Sequence, residues 1–493
     1  MAIKEREAQL TPQAAEFLAE PKKLFIGGQW VDPVEGKTFE TIDPATEEKI
    51  ADVALATGPD VDKAVAAARE AFEDNRWSTL EPRRRASILF KFADLVQAHA
   101  QTIGQLDTLD NGKPINFAIG EAIHVAMVLR YYAGWADKIY GETNPTAADQ
   151  FIYTLREPIG VCAQIIPWNF PSAMFAWKVA PALAFGNCTV LKPAEETPLS
   201  ALYMAKLAQE AGIPDGVLNI LTGDGPTTGA ALVDAHVDKI AFTGSTEVGK
   251  IIMQAAAKNL ARVTLELGGK SPNIVFPDAD FATAVPGSAF GIFFNSGQVC
   301  TAGSRLLVDR KVHDEFVEQL AGAAAAWKVG DGLDPTTMVG PVVSKAQHQR
   351  VQDYLKIGAG EGAEARIGGT KREGTGYFIE PTIFTGVKPD MRIAQEEIFG
   401  PVLSVLSFDD VDEAIRIAND TMYGLAAAVW TKDLSTAHKV ARGLRAGTIW
   451  VNQYGPSDPG VSFGGYKQSG FGRELGVHSI ETYTQTKSVW VKM

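Results

Sequence analysis

The chain has 493 residues, of which 46% are hydrophobic and 21% are charged, and its formal net charge is −13. At roughly 150 residues per domain this length corresponds to about three domains, which can bury large cores without disulfide or metal staples. The acidic balance excludes the basic surfaces that bind nucleic acid or anionic membranes.

The N-terminal segment and the cysteines indicate the compartment. Residues 1–20 are charged and lack an apolar signal core, and the sequence has no run of about 18 uncharged apolar residues. Cys162, Cys188 and Cys300 lack the CxxC spacing of zinc sites and the density of a disulfide framework. We therefore expect a soluble cytoplasmic protein, with no nucleic-acid or membrane partner and no metal.

The first part of the chain is predicted to be helical. Apolar residues recur at helical spacing in two stretches of residues 60–110. They are Val61, Val65, Ala68 and Phe72, and then Leu89, Phe92 and Val96. After the polar, turn-rich segment Gly141–Gln150, the alternating run Phe151–Arg156 predicts an exposed strand.

Residues 158–267 alternate short apolar runs with helical stretches. The predicted strands are Val161–Ile166, Cys188–Lys192, Val217–Leu221, Lys239–Phe242 and Arg262–Glu266. The predicted helices are Ser172–Phe185, Pro198–Ala211, Thr227–Asp234 and Thr246–Asn259. This pattern indicates parallel βαβ units, which bind ligands beyond the carboxyl ends of their strands and so favour a nucleotide site. The residues at those ends are Trp168, Asn169, Lys192, Gly223, Gly244 and Glu266.

Residues 270–470 repeat the alternation and predict a second α/β domain. Its strands are expected at Arg305–Val308, Val402–Phe408, Ala426–Thr431 and Gly447–Asn452. The tail Ser488–Lys492 is expected to form one more strand.

Two glycine-rich turns could approach a phosphate. The segment Gly244–Lys250 lies between a predicted strand and a predicted helix, whose N-terminus offers free N–H groups. Its GxxxxGK pattern resembles a P-loop, but the next residue is Ile251, where Mg²⁺ binding needs Ser or Thr, so we reject the NTPase interpretation. The second turn is Gly223–Gly229, and each turn taken alone is equally compatible with a plain tight turn.

Three side chains are candidates for chemistry. Cys300 could be a nucleophile, although a lone cysteine is more often a small buried hydrophobic residue. Glu266 closes an apolar strand, where a carboxylate is uncommon and often functional, although ion pairing would also explain it. Asn169 could equally be a turn former beside Pro171.

Seven segments, taken together and in this order, resemble the aldehyde dehydrogenase superfamily. They are Pro167–Pro171, Lys192–Glu195, Phe242–Thr246, Leu265–Lys270, Gly297–Cys300, Glu396–Pro401 and Phe463–Lys467. The resemblance extends from Leu24 to Val491, and Ser462 departs from it where the family usually has Pro.

The resemblance implies NAD-dependent oxidation of an aldehyde to a carboxylic acid. Cys300 matches the nucleophile that forms a thiohemiacetal and then a thioester, and Glu266 matches the general base for thioester hydrolysis. The Asn169 amide and the Cys300 backbone N–H match the oxyanion donors. Lys178 matches a lysine near the site, and Glu474 matches a second carboxylate that relays protons in some members.

The resemblance also implies a cofactor site that prefers NAD over NADP. Lys192 and Glu195 match contacts to the adenosine ribose, where the Glu195 carboxylate would repel a 2′-phosphate. Ser245 matches a pyrophosphate contact, Glu397 matches the carboxylate that holds the nicotinamide ribose, and Phe399 would pack beside it. The other expected cofactor contacts are Ile165, Trp168, Gly225, Gly229, Phe242, Val248, Leu267 and Gln347.

The positions that match the substrate tunnel of the family are Phe170, Met174, Trp177, Tyr454, Ser457 and Phe463. Large apolar side chains among them predict an aromatic or medium-chain aliphatic aldehyde, although the aromatics could also pack in the core. The segment Tyr454–Gly460 departs from members that carry an aromatic near Ser457, which would widen the tunnel mouth. Aminoaldehyde or betaine-aldehyde oxidation stays open, because Trp177, Tyr454 and Asp458 could face a cation.

Two other functions are weighed against this one. A CoA-acylating semialdehyde dehydrogenase would cleave the thioester with CoA, but such enzymes typically lack the base that Glu266 matches. A non-enzymatic protein on the same fold is disfavoured by the full set of Cys300, Glu266 and Asn169.

The fold implied is α/β and has three parts. Residues 1–137 and 157–266 would form a doubly wound NAD-binding domain, and residues 267–470 would form a catalytic domain. Residues 138–156 and 471–493 would form a small β element that joins subunits into a homodimer or a homotetramer.

Overall fold

The computed structural model describes Arg6 and residues 9–370 and 372–493. Among these residues, no helix combines the length and the apolar character needed to cross a membrane. Within the same ranges, no cluster of three or more His, Cys, Asp or Glu side chains is arranged to hold a metal ion.

The first part of the chain is mainly helical, as its periodicity predicts. The helices are α1 (Pro12–Ala19), α2 (Gly58–Glu73), α3 (Pro82–Ala98), α4 (Ala100–Asn111) and α5 (Ile115–Ala133). Short strands that the sequence analysis did not predict also occur, because so few residues carry too little periodicity to be told from loops. They are β1 (Leu24–Ile26), β2 (Gln29–Val31), β3 (Thr38–Ile42) and β4 (Lys49–Ala54).

The first large sheet confirms the predicted parallel βαβ units. Its parallel strands are β7 (Val161–Ile165), β8 (Cys188–Lys192), β9 (Leu218–Ile220), β10 (Lys239–Thr243) and β11 (Arg262–Glu266). The full order is β19-β11-β10-β7-β8-β9-β1-β2, with β19 (Gly470–Phe471) and β1 antiparallel to their neighbours. The connecting helices are α6 (Pro171–Ala184), α7 (Leu199–Ala211), α8 (Ala230–Asp234) and α9 (Thr246–Ala256). The strand order reverses between β7 and β10, where such sheets bind ligands.

The second large sheet has the order β14-β15-β16-β13-β12-β17-β18, and only β14 is antiparallel to its neighbour. Its strands are β12 (Pro272–Val275), β13 (Arg305–Asp309), β14 (Glu364–Ile367), β15 (Thr382–Thr385), β16 (Val402–Phe408), β17 (Ala426–Trp430) and β18 (Thr448–Val451). Its helices are α10 (Phe281–Phe293), α11 (His313–Ala325), α12 (Lys345–Gly360), α13 (Arg392–Gln395), α14 (Val411–Asn419) and α15 (Leu434–Gly443). The predicted second α/β unit is present, and β12, β14 and β15 add to the predicted strands.

A small third sheet joins distant parts of the chain. It has the order β20-β6-β5 and consists of β5 (Thr143–Asn144), β6 (Gln150–Pro158) and β20 (Thr484–Lys492), which follows α16 (Ser479–Tyr483). β6 and β20 pair antiparallel along their whole length, from Gln150 opposite Lys492 to Pro158 opposite Thr484. Both predicted strands are present and extend further than predicted. The domain boundaries and the role of this sheet in oligomerisation stay predictions.

Candidate active site

The side chain of Asn169 ties the loop after β7 to the loop that carries Cys300. Its Nδ2 donates to the Gln298 carbonyl at 2.9 Å, and Asn295 Nδ2 donates to the Asn169 carbonyl at 2.9 Å. Asn111 Nδ2 donates to the neighbouring Trp168 carbonyl at 2.8 Å. Asn169 is only 4% exposed, so these bonds fix the position of its amide in a region of low dielectric constant.

The loop before Cys300 is held in an unusual backbone conformation. Asn295, Ser296 and Gly297 have φ values of 49°, 56° and 71°, so three consecutive residues are left-handed. A Cβ on Gly297 would lie 2.1 Å from the Gly400 carbonyl oxygen, which leaves room for glycine alone. Hydrogen bonds from Ser296 and to Gln298 fix the loop against residues 340–343. Such strain persists only where the surroundings determine it, and it is concentrated at functional sites.

Cys300 is a partly accessible cysteine in an environment that disfavours its thiolate. Burial, followed by the nearby carboxylates Glu397 and Glu266, raises the pKa of its thiol to about 12. Cys162 and Cys188 lie inside the first sheet and are buried. Of the cysteines in the chain, only Cys300 can meet a ligand from solvent.

Glu266 ends β11 with a carboxylate that has no partner. Both of its oxygens are buried without a hydrogen bond from any described residue, and the residue is 3% exposed. Burial, and secondly the charge of Glu474, raise its pKa well above the ordinary value. An unpartnered buried oxygen costs about 1–3 kcal/mol, so this arrangement points to a functional group rather than a structural one.

A buried ion pair lies next to Glu266. Lys178 Nζ donates to Glu474 Oε1 and, at 2.7 Å, to Thr243 Oγ1. The second Glu474 oxygen has no partner among the described residues. Glu474 reaches this position because its backbone forms an antiparallel bridge with Phe463. The structure therefore brings together the two carboxylates and the lysine that the sequence analysis selected.

The residues expected at the adenosine end lie at or beyond the ends of β8 and β9. Lys192 Nζ donates to the Pro193 carbonyl at 2.9 Å and lies 3.4 Å from Glu195 Oε2, and burial lowers the pKa of this lysine. Gly229 faces the Lys192 side chain, since its Cβ would lie 3.7 Å from Lys192 Cδ and Cε. Gly225 has no heavy atom within 4 Å of the corresponding position, so this side of the groove is open.

The residues expected to contact the pyrophosphate lie at the N-terminus of α9. Ser245 caps the helix, and its Oγ accepts from Val248 N at 3.2 Å. A Cβ on Gly249 would lie 2.6 Å from Leu267 Cδ2, so the absence of a side chain there lets α9 pack closely against Leu267. Ile165 and Phe242 are buried at the ends of β7 and β10. Exposed N–H groups at a helix start and a neighbouring open groove fit a dinucleotide.

The residues expected at the nicotinamide end converge on the Gly268–Gly269 turn. Glu397 Oε1 accepts from Gly269 N at 2.9 Å, and burial raises the pKa of this carboxyl to about 7. A Cβ on Gly268 would lie 2.3 Å from Glu397 Oε2. The Phe399 ring meets the Trp168 ring edge-on at 5.2 Å, and the Phe399 carbonyl accepts from Gln347 Nε2 at 2.7 Å.

Comparisons with known proteins show the family. The profile of the aldehyde dehydrogenase family matches residues 30–489. The chain belongs to the aldehyde dehydrogenase family. It is 51% identical to a putative aldehyde dehydrogenase, DhaS, of Bacillus subtilis over 98% of each chain.

Solved structures are also similar along the whole length. The NAD⁺ complex of an aldehyde dehydrogenase from Bacillus cereus has a TM-score of 0.97 and 50% identity, and covers 98% of this chain and 99% of that one. A mutant indole-3-acetaldehyde dehydrogenase from P. syringae, in complex with NAD⁺ and IAA, has a TM-score of 0.96 and 47% identity and covers 99% of both chains.

The expected substrate positions of this aldehyde dehydrogenase do not all have the same environment. Trp177 is buried and meets the Phe463 ring at 5.1 Å, while its indole N–H has no partner among the described residues. Met174 is also buried, and Phe170 is half-buried. Tyr454 lies in the core of the second sheet, where its hydroxyl donates to the Thr301 carbonyl at 2.6 Å, so it supports the Cys300 loop. Ser457 is exposed.

An aromatic cluster that the sequence analysis missed lies beside Phe170. Phe294 is 6.0 Å from the Phe170 ring, 5.0 Å from Phe117 and 4.8 Å from Phe290. Gly455 approaches Phe290 from the segment Tyr454–Gly460. These side chains come from α5, α10 and the loop before Cys300, so sequence spacing gives no sign that they meet.

Alkylation of Cys300 should test its electrostatic environment. Without cofactor, the rate with iodoacetamide should rise about tenfold per pH unit between about pH 7 and about pH 10, because the thiolate fraction rises in this way below a pKa near 12. Peptide mapping should locate the label on Cys300, and the Cys300→Ser variant serves as the control. A plateau near neutral pH would contradict this account.

Proposed function

We propose that this aldehyde dehydrogenase oxidises its substrate through a covalent intermediate on Cys300. The Cys300 sulfur bonds to the aldehyde carbon while its proton leaves, which places a negative charge on the former carbonyl oxygen. Asn169 Nδ2 carries two hydrogens, of which the Gln298 carbonyl uses one. The other is free to stabilise the oxyanion together with the Cys300 backbone N–H.

Hydrolysis is proposed to depend on Glu266. Bound NAD would supply the hydride acceptor for the tetrahedral adduct, and a thioester would then remain on Cys300. A water oxygen then bonds to the acyl carbon, Glu266 takes the proton of that water, and the C–S bond breaks to return Cys300. The unpartnered buried carboxylate of Glu266 is the observation that carries the proposal, because it can hold a water and accept its proton.

Glu266→Gln should separate the two halves of the reaction. The variant should release about one equivalent of NADH per site in a burst and then turn over at least about a hundredfold more slowly, because acylation does not need this base. Stopped-flow absorbance measures both phases. Cys300→Ala, which should lose the burst and keep cofactor binding, is the matched control. Equal loss of burst and steady state in Glu266→Gln would place Glu266 before hydride transfer instead.

NAD as the cofactor is supported by the NAD⁺ complexes of the similar structures and by the groove itself. Lys192 and Glu195 lie together beyond β8, where Glu195 is partly exposed and can accept hydrogen bonds from ribose hydroxyls. The N-terminus of α9 is suited to hold the pyrophosphate, and Glu397 and Phe399 are suited to hold the nicotinamide ribose. A 2′-phosphate would be placed next to the Glu195 carboxylate, which disfavours NADP.

Glu195→Gln should narrow the preference for NAD over NADP by about tenfold, which corresponds to about 1.4 kcal/mol of removed repulsion. The ratio of kcat/KM values for the two cofactors is the measurement. Glu247→Gln, on the exposed face of α9, is the control and should leave the ratio unchanged. Equal use of NAD and NADP by the wild-type enzyme would refute the assignment.

The substrate class proposed is an aromatic or medium-chain aliphatic aldehyde. Phe170, Met174, Trp177 and Phe463 pack in one apolar cluster, and Phe294 extends it through its contact with Phe170. We also propose a homo-oligomer in which β20 of the third sheet lies in the subunit interface. The Trp490 side chain on this strand is 68% exposed, which supports an interface there.

A panel of aldehydes should rank phenylacetaldehyde and hexanal above acetaldehyde. Each buried methylene contributes roughly 0.8 kcal/mol, so two or three should raise kcat/KM about tenfold or more. Betaine aldehyde is the fourth substrate, because an ammonium group near Trp177 and Asp458 is the competing interpretation. If acetaldehyde or betaine aldehyde ranks first at one fixed pH, the apolar assignment is wrong.

A further inference from the structure

The first sheet has one apolar face and one polar face over β7, β10 and β11. In their register, Cys162 of β7 lies opposite Lys239 of β10, which in turn lies opposite Arg262 of β11. Thr243 of β10 lies opposite Glu266 of β11. Because alternate residues share a face, one face carries only apolar side chains. They are Ala163, Ile165, Ile240, Phe242, Val263 and Leu265. The other face is largely polar and carries Cys162, Gln164, Lys239, Ala241, Thr243, Arg262, Thr264 and Glu266.

This polar face leads from the base to the opposite end of the sheet. Glu266 and Thr243 lie at the carboxyl ends of β11 and β10, and Thr243 Oγ1 accepts from Lys178 of α6. Arg262 lies four residues before Glu266, at a distance of about 13 Å along the strand. Arg262 is exposed and donates to the Thr484 carbonyl at 3.0 Å. The face therefore begins at the active site and reaches solvent at the other end.

Lys239 is the first residue of β10, lies on this face directly opposite Arg262 of β11, and is fully buried. Its Nζ donates to Thr264 Oγ1 at 2.9 Å and lies 4.7 Å from the centre of the Tyr483 ring. Burial lowers the pKa of Lys239 to about 8. The ionisable groups around it come from every element packed against this face, and they are Cys162, Glu474, Lys178, Arg262 and Tyr483. The structure gives Lys239 no carboxylate partner within ion-pair distance among the described residues.

Between Lys239 and Glu474 lie buried oxygens that can bind water. The Tyr483 hydroxyl, Gln164 Oε1 and Glu474 Oε2 have no hydrogen-bond partner among the described residues. Tyr483 is close enough to Gln164 and Glu474 for both to affect its pKa. Buried polar atoms in this situation commonly share ordered water molecules, which conduct protons along hydrogen bonds.

Under the proposed function, every hydrolysis leaves one proton on Glu266, and that proton has to leave before the next turnover. Glu266 and Glu474 are 3% and 4% exposed, so neither carboxylate exchanges protons with bulk water directly. A group that titrates near the working pH can take up and release such a proton.

We propose that the polar face of β7, β10 and β11 conducts the proton from Glu266 and Glu474 to the neutral amine of Lys239, which releases it to solvent at the Arg262 end. The proton taken up by Glu266 passes to the unpaired oxygen of Glu474, and from there it moves through the Tyr483 hydroxyl and water held by Gln164 Oε1 to Lys239 Nζ, which becomes an ammonium group. Lys239 then returns to the amine by losing a proton to water beside Arg262. Lys239 acts through Glu266 and never touches the substrate.

Lys239→Met and Lys239→Arg test the proposal in the pre-steady state. In the wild type, the hydrolysis rate should rise as the pH passes about 8, because the neutral amine is the acceptor. Both variants should keep the NADH burst but lose this rise and hydrolyse about tenfold more slowly above that pH. Below about pH 7 they should match the wild type, in which Lys239 is already protonated.

Arginine keeps the positive charge and a hydrogen bond to Thr264 but stays protonated, so it separates proton transfer from a structural role. Lys22→Met is the matched control, because Lys22 is also buried, with its pKa lowered to about 8, and its Nζ bonds to backbone carbonyls at the end of the first helix and lies over the Phe17 ring, away from the proposed route. It should behave like the wild type.

A wild-type pH profile in Lys239→Arg would overturn the proposal, and so would a wild-type enzyme without the rise near pH 8. If Lys239→Met does not fold, Lys239→Arg alone decides. Glu266→Gln in the same assay distinguishes failure of this proposal from failure of the proposed function. If Glu266→Gln hydrolyses the thioester at the wild-type rate, Glu266 is not the base and the proposed function fails. If Glu266→Gln is slow but the Lys239 variants behave like the wild type, only the proton route fails.

Discussion

The hydrogen bonds between Asn169 and the Cys300 loop join the two large sheets at the point where the proposed chemistry takes place. Asn169 follows β7 of the first sheet, while Asn295 and Gln298 precede Cys300 and β13 of the second. Each side supplies one donor and one acceptor, so neither loop can move without breaking a buried hydrogen bond. The left-handed turn at Asn295–Gly297 is tolerated because this clamp determines it.

This clamp also determines how the remaining groups are arranged. With the two sheets fixed, Glu266 at the end of β11 faces the Cys300 loop, and Glu397 reaches back to the Gly268–Gly269 turn. Burial and then both carboxylates raise the pKa of the Cys300 thiol, so the proposed nucleophile is protonated in this state. A bound, positively charged nicotinamide would lower the pKa of the Cys300 thiol, because a nearby positive charge favours the thiolate. Cofactor binding and activation of the nucleophile would then be coupled.

The buried charges near Glu266 need a physical reason to persist, because hydrophobic replacements are often as stable. The Lys178–Glu474 pair neutralises one carboxylate and leaves Glu266 without a partner. Lys239 adds a second buried lysine, on the sheet face below this pair, with no carboxylate partner of its own among the described residues. A sheet that is apolar on one face and polar on the other is unusual where helices cover both, and the proposed proton route gives this asymmetry a function.

The sequence by itself determined the α/β class, the parallel strands of the first sheet, four strands of the second and the identity of the family, because strand and helix periodicity and the seven motifs are local features. It also selected Cys300, Glu266, Asn169, Lys178 and Glu474, although their roles rest on resemblance. The short strands β1–β4 were missed since three to six residues carry little pattern.

Only the tertiary structure decided which side chains meet and which stay unpaired. Tyr454, which stays a predicted substrate residue, is tied by its hydroxyl to the Thr301 carbonyl, while Phe117, Phe290 and Phe294 gather beside Phe170. Strand register creates the polar face that contains Lys239. The packing of α6, α16 and Glu474 over this face leaves Glu266 without a partner. These contacts join residues up to several hundred positions apart, and sequence patterning carries no information about such distances.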